Sequence, residues 1–199
     1  MHETAYRTGQ LFFATYARDD WGRALEIGSA NVNGSLREFC PSQVHYVGLD
    51  RFPGPGVDLV ADLSQGLPCE AGSFDVVLSS SALEHDPAFW ETFCNAVRLL
   101  KPAGLLYLCA PSNNGFHRYP LDCWRFYPDA GKDLIEVLTT NNIEVHIPKG
   151  QNCCGVPVLV HGDIDTVRAL AKTALRPLVD EIDRKGLYPE AFMRELGGI

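Results

Sequence analysis

The sequence predicts an α/β fold, a Rossmann-like three-layer sandwich around a mostly parallel sheet of six or seven strands. Short apolar runs alternate with segments of helical periodicity between residues 23 and 109. The runs are almost continuously apolar, which is typical of strands that are buried on both faces of a parallel sheet. Small and acidic residues follow several of the runs, at the strand ends where open parallel sheets bind their ligands.

Apolar runs bounded by loop residues mark the predicted strands. They lie at 23–27, 44–49, 57–60, 74–79 and 104–109, with a further strand near 143–147. Residues 153–160 fit either an edge strand or the start of a helix, because Pro157 is poorly tolerated in a central strand.

Helical periodicity predicts the helices that cover the sheet. They lie at 3–17, 34–40, 87–100 and 129–141, with a last helix that Asp163 caps. The apolar face of helix 87–100 includes Phe93 and Leu100, and Pro87 suits its first turn. The aromatic residues of the first helix, such as Phe12, fit either packing on the domain edge or closure over a bound cofactor.

The length of 199 residues predicts a single domain over 1–199. Within it we expect an N-terminal helix in 1–20, a Rossmann-like core in 22–160 and a C-terminal helical segment in 161–199. The seven cysteines include no C-x-x-C pair, so we expect most of them to be reduced core residues. The adjacent Cys153 and Cys154 are poorly placed for a disulfide with each other.

The charge of the chain bears on its partners. The formal net charge is −8 and no cluster of lysine and arginine occurs, so we expect neither nucleic acid nor membrane as a partner. No apolar run approaches the roughly 18 residues of a membrane span, and the N-terminus lacks the pattern of a signal peptide. These features predict a cytoplasmic protein that acts on a small molecule.

The first two predicted strands end in residues suited to a nucleoside. Gly28, Ser29 and Ala30 are small and let the backbone approach a ligand closely, although they do not form the G-x-G-x-x-G pattern of dinucleotide-binding proteins. Asp50 ends the second strand 22 positions beyond Gly28, where a carboxylate accepts hydrogen bonds from ribose hydroxyls. Its charge would repel a 2′-phosphate, which disfavours NADP.

Two further strand ends are informative. Asp62 and Leu63 follow the third strand, where a carboxylate beside an apolar side chain suits the amine and the face of an adenine ring. Ser79 and Ser80 end the fourth strand and precede ionisable residues that include His85, near the expected reaction centre.

Taken in order, five segments resemble the class I S-adenosylmethionine-dependent methyltransferases, in particular the small type 11 group, over residues 22–147. They are LEIGSANVNGS, GLD, VADL, FDVVLSSSALEHD and LLKPAGLLYLCAPS. Ala30 departs from the family pattern, which commonly has a second glycine at this place. The resemblance implies S-adenosylmethionine as the cofactor and a seven-stranded sheet whose last strand is antiparallel.

The resemblance also implies which residues hold the cofactor. Gly28 and Ala30 would lie against the methionine moiety, and Asp50 against the ribose. Asp62 and Leu63 would contact the adenine. The other expected cofactor-binding residues are Glu26, Ser29, Arg51, Ser79 and Ser80. A structural role is the alternative for the acids: Glu26 would bond loop amides, and Asp50 or Asp62 would cap a turn.

The acceptor side is predicted at two places. His85 is a candidate general base, since imidazole as a residue type suits proton transfer near neutral pH. The alternative is that it caps the following helix or packs beneath the cofactor. The loop 111–128 is too polar and aromatic for a simple connector. It resembles a His-x-Tyr-Pro-x-Asp-Tyr-Trp-Arg-Phe-x-Pro signature of methyltransferases linked to glycan or secondary-metabolite pathways, with Cys123 in place of one aromatic residue.

Four residues of this loop are candidate acceptor-site residues. His117 is a candidate base or metal ligand, although no ligand spacing marks a metal site and we expect none. Asp122, Trp124 and Arg125 are candidate substrate-binding residues: an Asp122–Arg125 ion pair would shape the pocket, and Arg125 also suits a carboxylate or phosphate of the acceptor. The alternative is a purely structural latch between Asp122 and Arg125, with Trp124 in the core.

These features together predict methyl transfer to an oxygen of a small polar acceptor, such as a sugar or a secondary metabolite. Transfer to nitrogen is one alternative. Another is a catalytically silent S-adenosylmethionine-binding module that serves as a regulator or partner subunit. A nucleotide-sugar or NAD enzyme is disfavoured, because the second glycine of the dinucleotide pattern is missing.

Overall fold

The computed structural model describes residues 3–113, 115–140 and 158–159. Its strands in chain order are β1 (Arg23–Ile27), β2 (His45–Asp50), β3 (Leu59–Val60), β4 (Phe74–Ser80), β5 (Leu100–Cys109) and β6 (Val158–Leu159). Its helices are α1 (Glu3–Tyr16), α2 (Phe89–Leu99) and α3 (Pro128–Thr140). Short 3₁₀ helices cover Leu36–Phe39, Leu63–Gln65 and Leu83–His85.

The strands form one sheet in the order β3-β2-β1-β4-β5-β6. β1 to β5 run parallel, and β6 pairs antiparallel with β5 through Val158 and Leu108. This arrangement confirms the predicted α/β fold with its mostly parallel sheet. It also assigns Val158 and Leu159, which belong to the ambiguous segment 153–160, to a strand.

Alternation of side chains along the strands divides the core into two layers. On one face of the sheet, Leu25 and Val77 pack in a cluster with Phe93 of α2. On the other face, Ala24 packs in a second cluster with Phe12 of α1. The aromatic residues of α1 therefore cover the sheet, as in the packing alternative for this helix.

Two predicted helix boundaries are corrected. The segment 34–40 forms only the short 3₁₀ helix Leu36–Phe39, which Ser35 caps by accepting from the amide of Arg37. Leu100, predicted on the face of α2, is extended (φ −71°, ψ 137°) and begins β5 by pairing with Phe74. An extended residue cannot continue the helix, so α2 ends at Leu99.

The predicted strand near 143–147 and the helix capped by Asp163 lie outside the described residues, as do Cys153 and Cys154. The cysteines that the structure describes form no disulfide with one another. Among them Cys109 is buried and Cys94 and Cys123 are exposed, so a core position does not hold for most of the described cysteines. In the described ranges, no helix combines the length and apolar character needed to cross a membrane.

Candidate functional site

Parallel pairing brings the ends of β1, β2 and β4 to one edge of the sheet. The amides of Gly28 and Ser29 donate to the carbonyl of Leu49 at 2.9 and 3.1 Å. The amide of Ala30 donates to Asp50 Oδ2 at 3.2 Å, and the amide of Phe52 donates to Asp50 Oδ1 at 3.1 Å. The small-residue turn and the acid at the end of β2 therefore meet, although they are far apart in sequence.

Gly28 adopts φ +76°, a conformation that favours glycine. A Cβ at this position would lie only 2.3 Å from the Cβ of Ala82, which follows β4. The space above Gly28 is thus filled by Ala82, so the fold itself requires a glycine here. Ser29 is buried beside Gly48, and its hydroxyl has no hydrogen-bond partner among the described residues.

Asp50 is half-buried and retains acceptor capacity. A carboxylate offers about four lone-pair positions, and the two amide bonds from Ala30 and Phe52 leave room on both oxygens. Two neighbouring hydroxyl groups are the kind of donor that such a carboxylate binds. The position and chemistry of Asp50 therefore fit the ribose of a nucleoside.

Asp62 is engaged with its own turn. Its Oδ1 accepts from the Ser64 amide at 3.0 Å, from the Ser64 hydroxyl at 2.6 Å and from Arg51 Nη2 at 3.2 Å. Partial burial opposes ionisation, but these hydrogen bonds and the charge of Arg51 lower the pKa of Asp62. Asp62 thus caps the 3₁₀ helix Leu63–Gln65, as in its structural alternative, while its Oδ2 accepts no bond from the described residues.

Leu63 and Arg51 also have structural partners. Leu63 is 2% exposed and packs in the core with Phe93, so it leaves almost no surface for an adenine ring. Arg51 Nη2 donates to Asp86 Oδ1 at 2.6 Å as well as to Asp62. The guanidinium therefore ties the ends of β2 and β3 to the turn after β4.

Glu26 lies inside the fold. Its side chain is nearly fully buried, and the hydroxyl of Tyr46 donates to Glu26 Oε2 at 2.9 Å. Burial raises the pKa of Glu26 to about 7, although the Tyr46 bond opposes this shift. The backbone amide of Leu36 also hydrogen-bonds this carboxyl, which agrees with the structural alternative that Glu26 bonds loop amides.

The end of β4 carries two buried hydroxyl groups, and the residue that follows the strand has a strained backbone conformation. The hydroxyls of Ser79 and Ser80 are buried and lack a hydrogen-bond partner among the described residues. Leaving a buried hydroxyl without a hydrogen bond costs roughly 1–3 kcal/mol of stability. A hydrogen bond to a ligand or to a water molecule would offset this cost. Ser81 follows with φ +53°, in the left-handed region that non-glycine residues rarely adopt.

The loop after β5 is joined to the turn after β4. The amides of Cys123 and Trp124 donate to the carbonyl of Glu84 at 2.7 and 3.2 Å. Trp124 Nε1 donates to the carbonyl of Asp86 at 2.7 Å, and the indole packs edge-on against Phe89. Trp124 is 38% exposed, so it bridges the two segments instead of filling the core.

Asp122 and Arg125 form an ion pair, which both alternatives for these residues allow. Arg125 donates to both carboxylate oxygens, at 2.6 Å from Nη1 and 2.9 Å from Nη2. The amide of His117 donates to Asp122 Oδ2 at 2.7 Å. The Arg125 hydrogen bonds hold the pKa of Asp122 well below its usual range.

The two candidate bases meet at this junction. The rings of His85 and His117 pack edge to face with centroids 5.0 Å apart. His85 Nδ1 lies 2.5 Å from the carbonyl oxygen of Leu121, and His85 Nε2 lies 3.8 Å from Glu84 Oε1. Sequence reasoning did not select Glu84, because nothing in a charged Glu-His-Asp turn shows that its first member is buried.

Glu84 is 1% exposed, and its Oε2 has no hydrogen-bond partner in the described residues. Burial raises the pKa of this carboxyl, while the nearby His85, His117 and Arg125 oppose the shift. Glu84, His85 and His117 together present three potential ligand atoms within 4.8 Å of one another.

Two family models match separate parts of the chain. The family described as a methyltransferase domain matches residues 25–108, and the family described as a cysteine-rich domain matches residues 117–184. His85 therefore lies in the first matched segment and His117 begins the second. The prediction of a single domain over 1–199 stays a prediction.

Similar proteins are of two kinds. An uncharacterized methyltransferase of Mycobacterium tuberculosis is 29% identical over 118 residues, which are 53% of this chain and 46% of that protein. Lactate utilization protein A 1 of Bacillus mycoides is 43% identical over 47 residues, which are 24% of this chain and 19% of that protein. The chain thus spans less than half the length of these curated relatives.

Solved structures share the fold. The 1,6-didemethyltoxoflavin-N1-methyltransferase of Burkholderia thailandensis, solved with 1,6-didemethyltoxoflavin and S-adenosylhomocysteine, has a TM-score of 0.56 and 17% identity. The match covers 79% of this chain and 76% of that one. Likeness at this level extends to the arrangement of the elements and not to individual site residues.

Proposed function

Because residues 25–108 match the family described as a methyltransferase domain, we propose that this chain binds S-adenosylmethionine and methylates an oxygen of a small polar acceptor. The observation that carries the proposal is the hydrogen bond from the amide of Ala30 to Asp50. It joins the turn after β1 to the acid after β2, at the strand ends where sheets of this kind bind nucleosides.

S-adenosylmethionine supplies an electrophilic methyl group on a positively charged sulfur. In our proposal Asp50 accepts hydrogen bonds from the ribose hydroxyls, and the turn from Gly28 to Ala30 lies beside the methionine moiety. The free Oδ2 of Asp62 is available to the adenine amine. Glu26 and Leu63 are buried, so their proposed contribution is to hold the turns that carry Gly28 and Asp62.

The chemical class of the methyl acceptor determines which catalytic groups the chain needs in addition to those that bind the cofactor. A hydroxyl group has a high pKa and needs a general base or a metal ion to become a nucleophile, whereas an amine reacts in its neutral form. His85 and His117 lie together beside the turn after β4, which supports transfer to oxygen. A sugar or a secondary metabolite is the proposed acceptor class.

Calorimetry with S-adenosylhomocysteine tests cofactor binding. Asp50→Ala is expected to weaken binding more than tenfold, because the ribose loses its acceptor. Asp20→Ala is the matched control, because it removes an exposed acid that precedes β1 and so lies away from the carboxyl ends of the strands. Equal affinity of wild type and Asp50→Ala, with both variants folded by circular dichroism, would refute the ribose assignment.

Methyl transfer is tested separately. Incubating metabolite extracts with methyl-labelled S-adenosylmethionine is expected to yield a product labelled on oxygen. His117→Ala is expected to lower turnover while affinity for S-adenosylhomocysteine holds. Label on nitrogen would favour the alternative reaction, and intact cofactor binding without any labelled product would favour the silent module.

A second function is favoured by the cysteine-rich match over residues 117–184. Thiolates are soft ligands that select zinc, copper(I) or iron–sulfur groups, and this segment includes the adjacent Cys153 and Cys154. The proposed role is a thiolate site for metal or redox chemistry. Metal analysis of chain purified without oxygen is expected to find a metal content that Cys153→Ser lowers and Cys94→Ser does not. Equal metal content in both variants would refute it.

A further inference from the structure

We infer that Glu84, His85 and His117 bind a divalent transition-metal ion of the kind that prefers imidazole ligands, such as zinc. Two imidazoles and one carboxylate are a common ligand set for such ions. Their ligand atoms already lie within 4.8 Å of one another. This inference departs from the sequence-based expectation that the chain holds no metal, and ion binding itself does not depend on the proposed methyl transfer.

Glu84 is the buried anchor of the site. Its side chain is 2% exposed, and its Oε2 accepts no hydrogen bond from the described residues. A buried carboxylate oxygen without a partner is unfavourable, and a bound cation is one of the partners that satisfies it. The carbonyl of Glu84 is held by the amides of Cys123 and Trp124, so the loop after β5 fixes its position.

The histidines are oriented through their second ring nitrogens. His85 Nδ1 lies 2.5 Å from the Leu121 carbonyl, and His117 Nδ1 lies 3.1 Å from the Gly115 carbonyl. A carbonyl only accepts, so these contacts assign the proton to Nδ1 in each neutral ring and leave the Nε2 lone pair free. Metal-binding histidines in proteins are held in this way by a carbonyl or carboxylate at the far nitrogen.

The neighbouring charges are compatible with a cation. The guanidinium of Arg125, which lies near Glu84, is neutralised by its two bonds to Asp122. His117 is 42% exposed at its side chain, so it has freedom to close the ligand spacing around an ion. Glu84 Oε1 and His85 Nε2, at 3.8 Å, are beyond hydrogen-bond distance but lie near the separation of two ligands on one metal ion.

Cobalt(II) is the appropriate probe because its visible spectrum distinguishes nitrogen and oxygen ligands from thiolates. The full chain carrying Cys153→Ser and Cys154→Ser, stripped with a chelator, removes the adjacent thiols from competition. We expect one cobalt ion per chain, with ligand-field bands and without thiolate charge-transfer bands. Zinc is expected to displace the cobalt.

Matched variants identify the ligands. His117→Gln and Glu84→Gln are each expected to weaken cobalt binding more than tenfold, while His45→Gln, an exposed histidine at the start of β2, leaves it unchanged. Unaltered affinity in His117→Gln, or a spectrum with only thiolate bands, would overturn the inference. Calorimetry with S-adenosylhomocysteine on the same variants is a separate readout, so failure of the metal site is distinguishable from failure of the proposed function.

Discussion

Arg51 Nη2 donates a hydrogen bond to Asp86 Oδ1 at 2.6 Å, and this ion pair joins the end of β2 to the turn that follows β4. Asp86 also accepts from the amide of Ala88 at 2.9 Å and from the hydroxyl of Thr92. The pair therefore couples the cofactor-side strand ends to the start of α2. Its side chains are 29% and 9% exposed, so solvent screens it only partly.

A double-mutant cycle measures this coupling. Arg51→Met and Asp86→Asn are each expected to destabilise the chain, with a coupling free energy of about 1–2 kcal/mol in denaturant unfolding, because a partly buried pair loses both charge and hydrogen bond. The control is the exposed i,i+4 pair of Glu3 and Arg7 on α1, for which we expect at most about 0.5 kcal/mol. Equal coupling in the two cycles would contradict the structural role of Arg51.

Glu26→Gln is expected to stabilise the chain at neutral and higher pH. Burial raises the pKa of Glu26 from 4.5 to about 7, so the folded chain holds a proton there that the unfolded chain has released. Stability due to this group is therefore greatest below pH 4.5 and falls as pH rises towards 7. Above pH 7 the ionised Glu26 lowers the free energy of unfolding by about 3 kcal/mol relative to the protonated form.

Chemical unfolding of wild type and Glu26→Gln across this pH range isolates the effect, because contributions from the other titrating groups cancel in the difference. The advantage of the variant should grow as pH rises from 4.5 and level off above about 7. A difference that is constant with pH would show that Glu26 is not buried as an acid.

Gly28→Ala is expected to destabilise the chain by more than about 2 kcal/mol. The left-handed φ of +76° costs an alanine roughly 1–2 kcal/mol, and the new Cβ would lie 2.3 Å from Ala82. Gly54→Ala is the control, since nothing lies within 4 Å of a Cβ built there. Similar unfolding midpoints for the two variants would refute the close packing of the first turn.

Ala103→Gly is expected to stabilise the chain, in contrast to Gly28→Ala. Ala103 has φ +60° in the first part of β5, and relief of about 1–2 kcal/mol of backbone strain exceeds the roughly 0.4–1 kcal/mol that glycine adds to unfolded-state entropy. Ala14→Gly, on the exposed side of the helix α1, should instead lose about 1 kcal/mol. Thermal unfolding of both variants checks the contrast, and a loss of stability in Ala103→Gly would contradict it.

Sequence reasoning found the strands because β1, β2 and β4 are largely buried and are therefore mostly apolar. It also placed Asp50 beside the turn of Gly28, since parallel strands end at the same edge of a sheet. Leu63 was assigned to an adenine because its residue type fits either a cofactor or a core. The packing of Leu63 against α2 assigns it to the core, and this contact joins residues that are far apart in the sequence.

The acceptor side was less predictable for a similar reason. The sequence singled out His85 and His117 separately, but their contact depends on how the loop after β5 folds back onto the turn after β4. The burial of Glu84 follows from the same contact. Short-range patterns carry no signal for either, whereas the Asp122–Arg125 ion pair lies within one turn and is expected from the sequence alone.

The outermost strand on the β2 side of the sheet, β3, is only two residues long, Leu59 and Val60. An open strand edge is a template on which a second chain can add further strands. The tendency to aggregate in this way grows with the length of unpaired backbone. Such a short edge offers an incoming strand too few hydrogen bonds to hold. At this side of the sheet, the chain is therefore protected against edge-to-edge aggregation even while Val60 remains exposed to solvent.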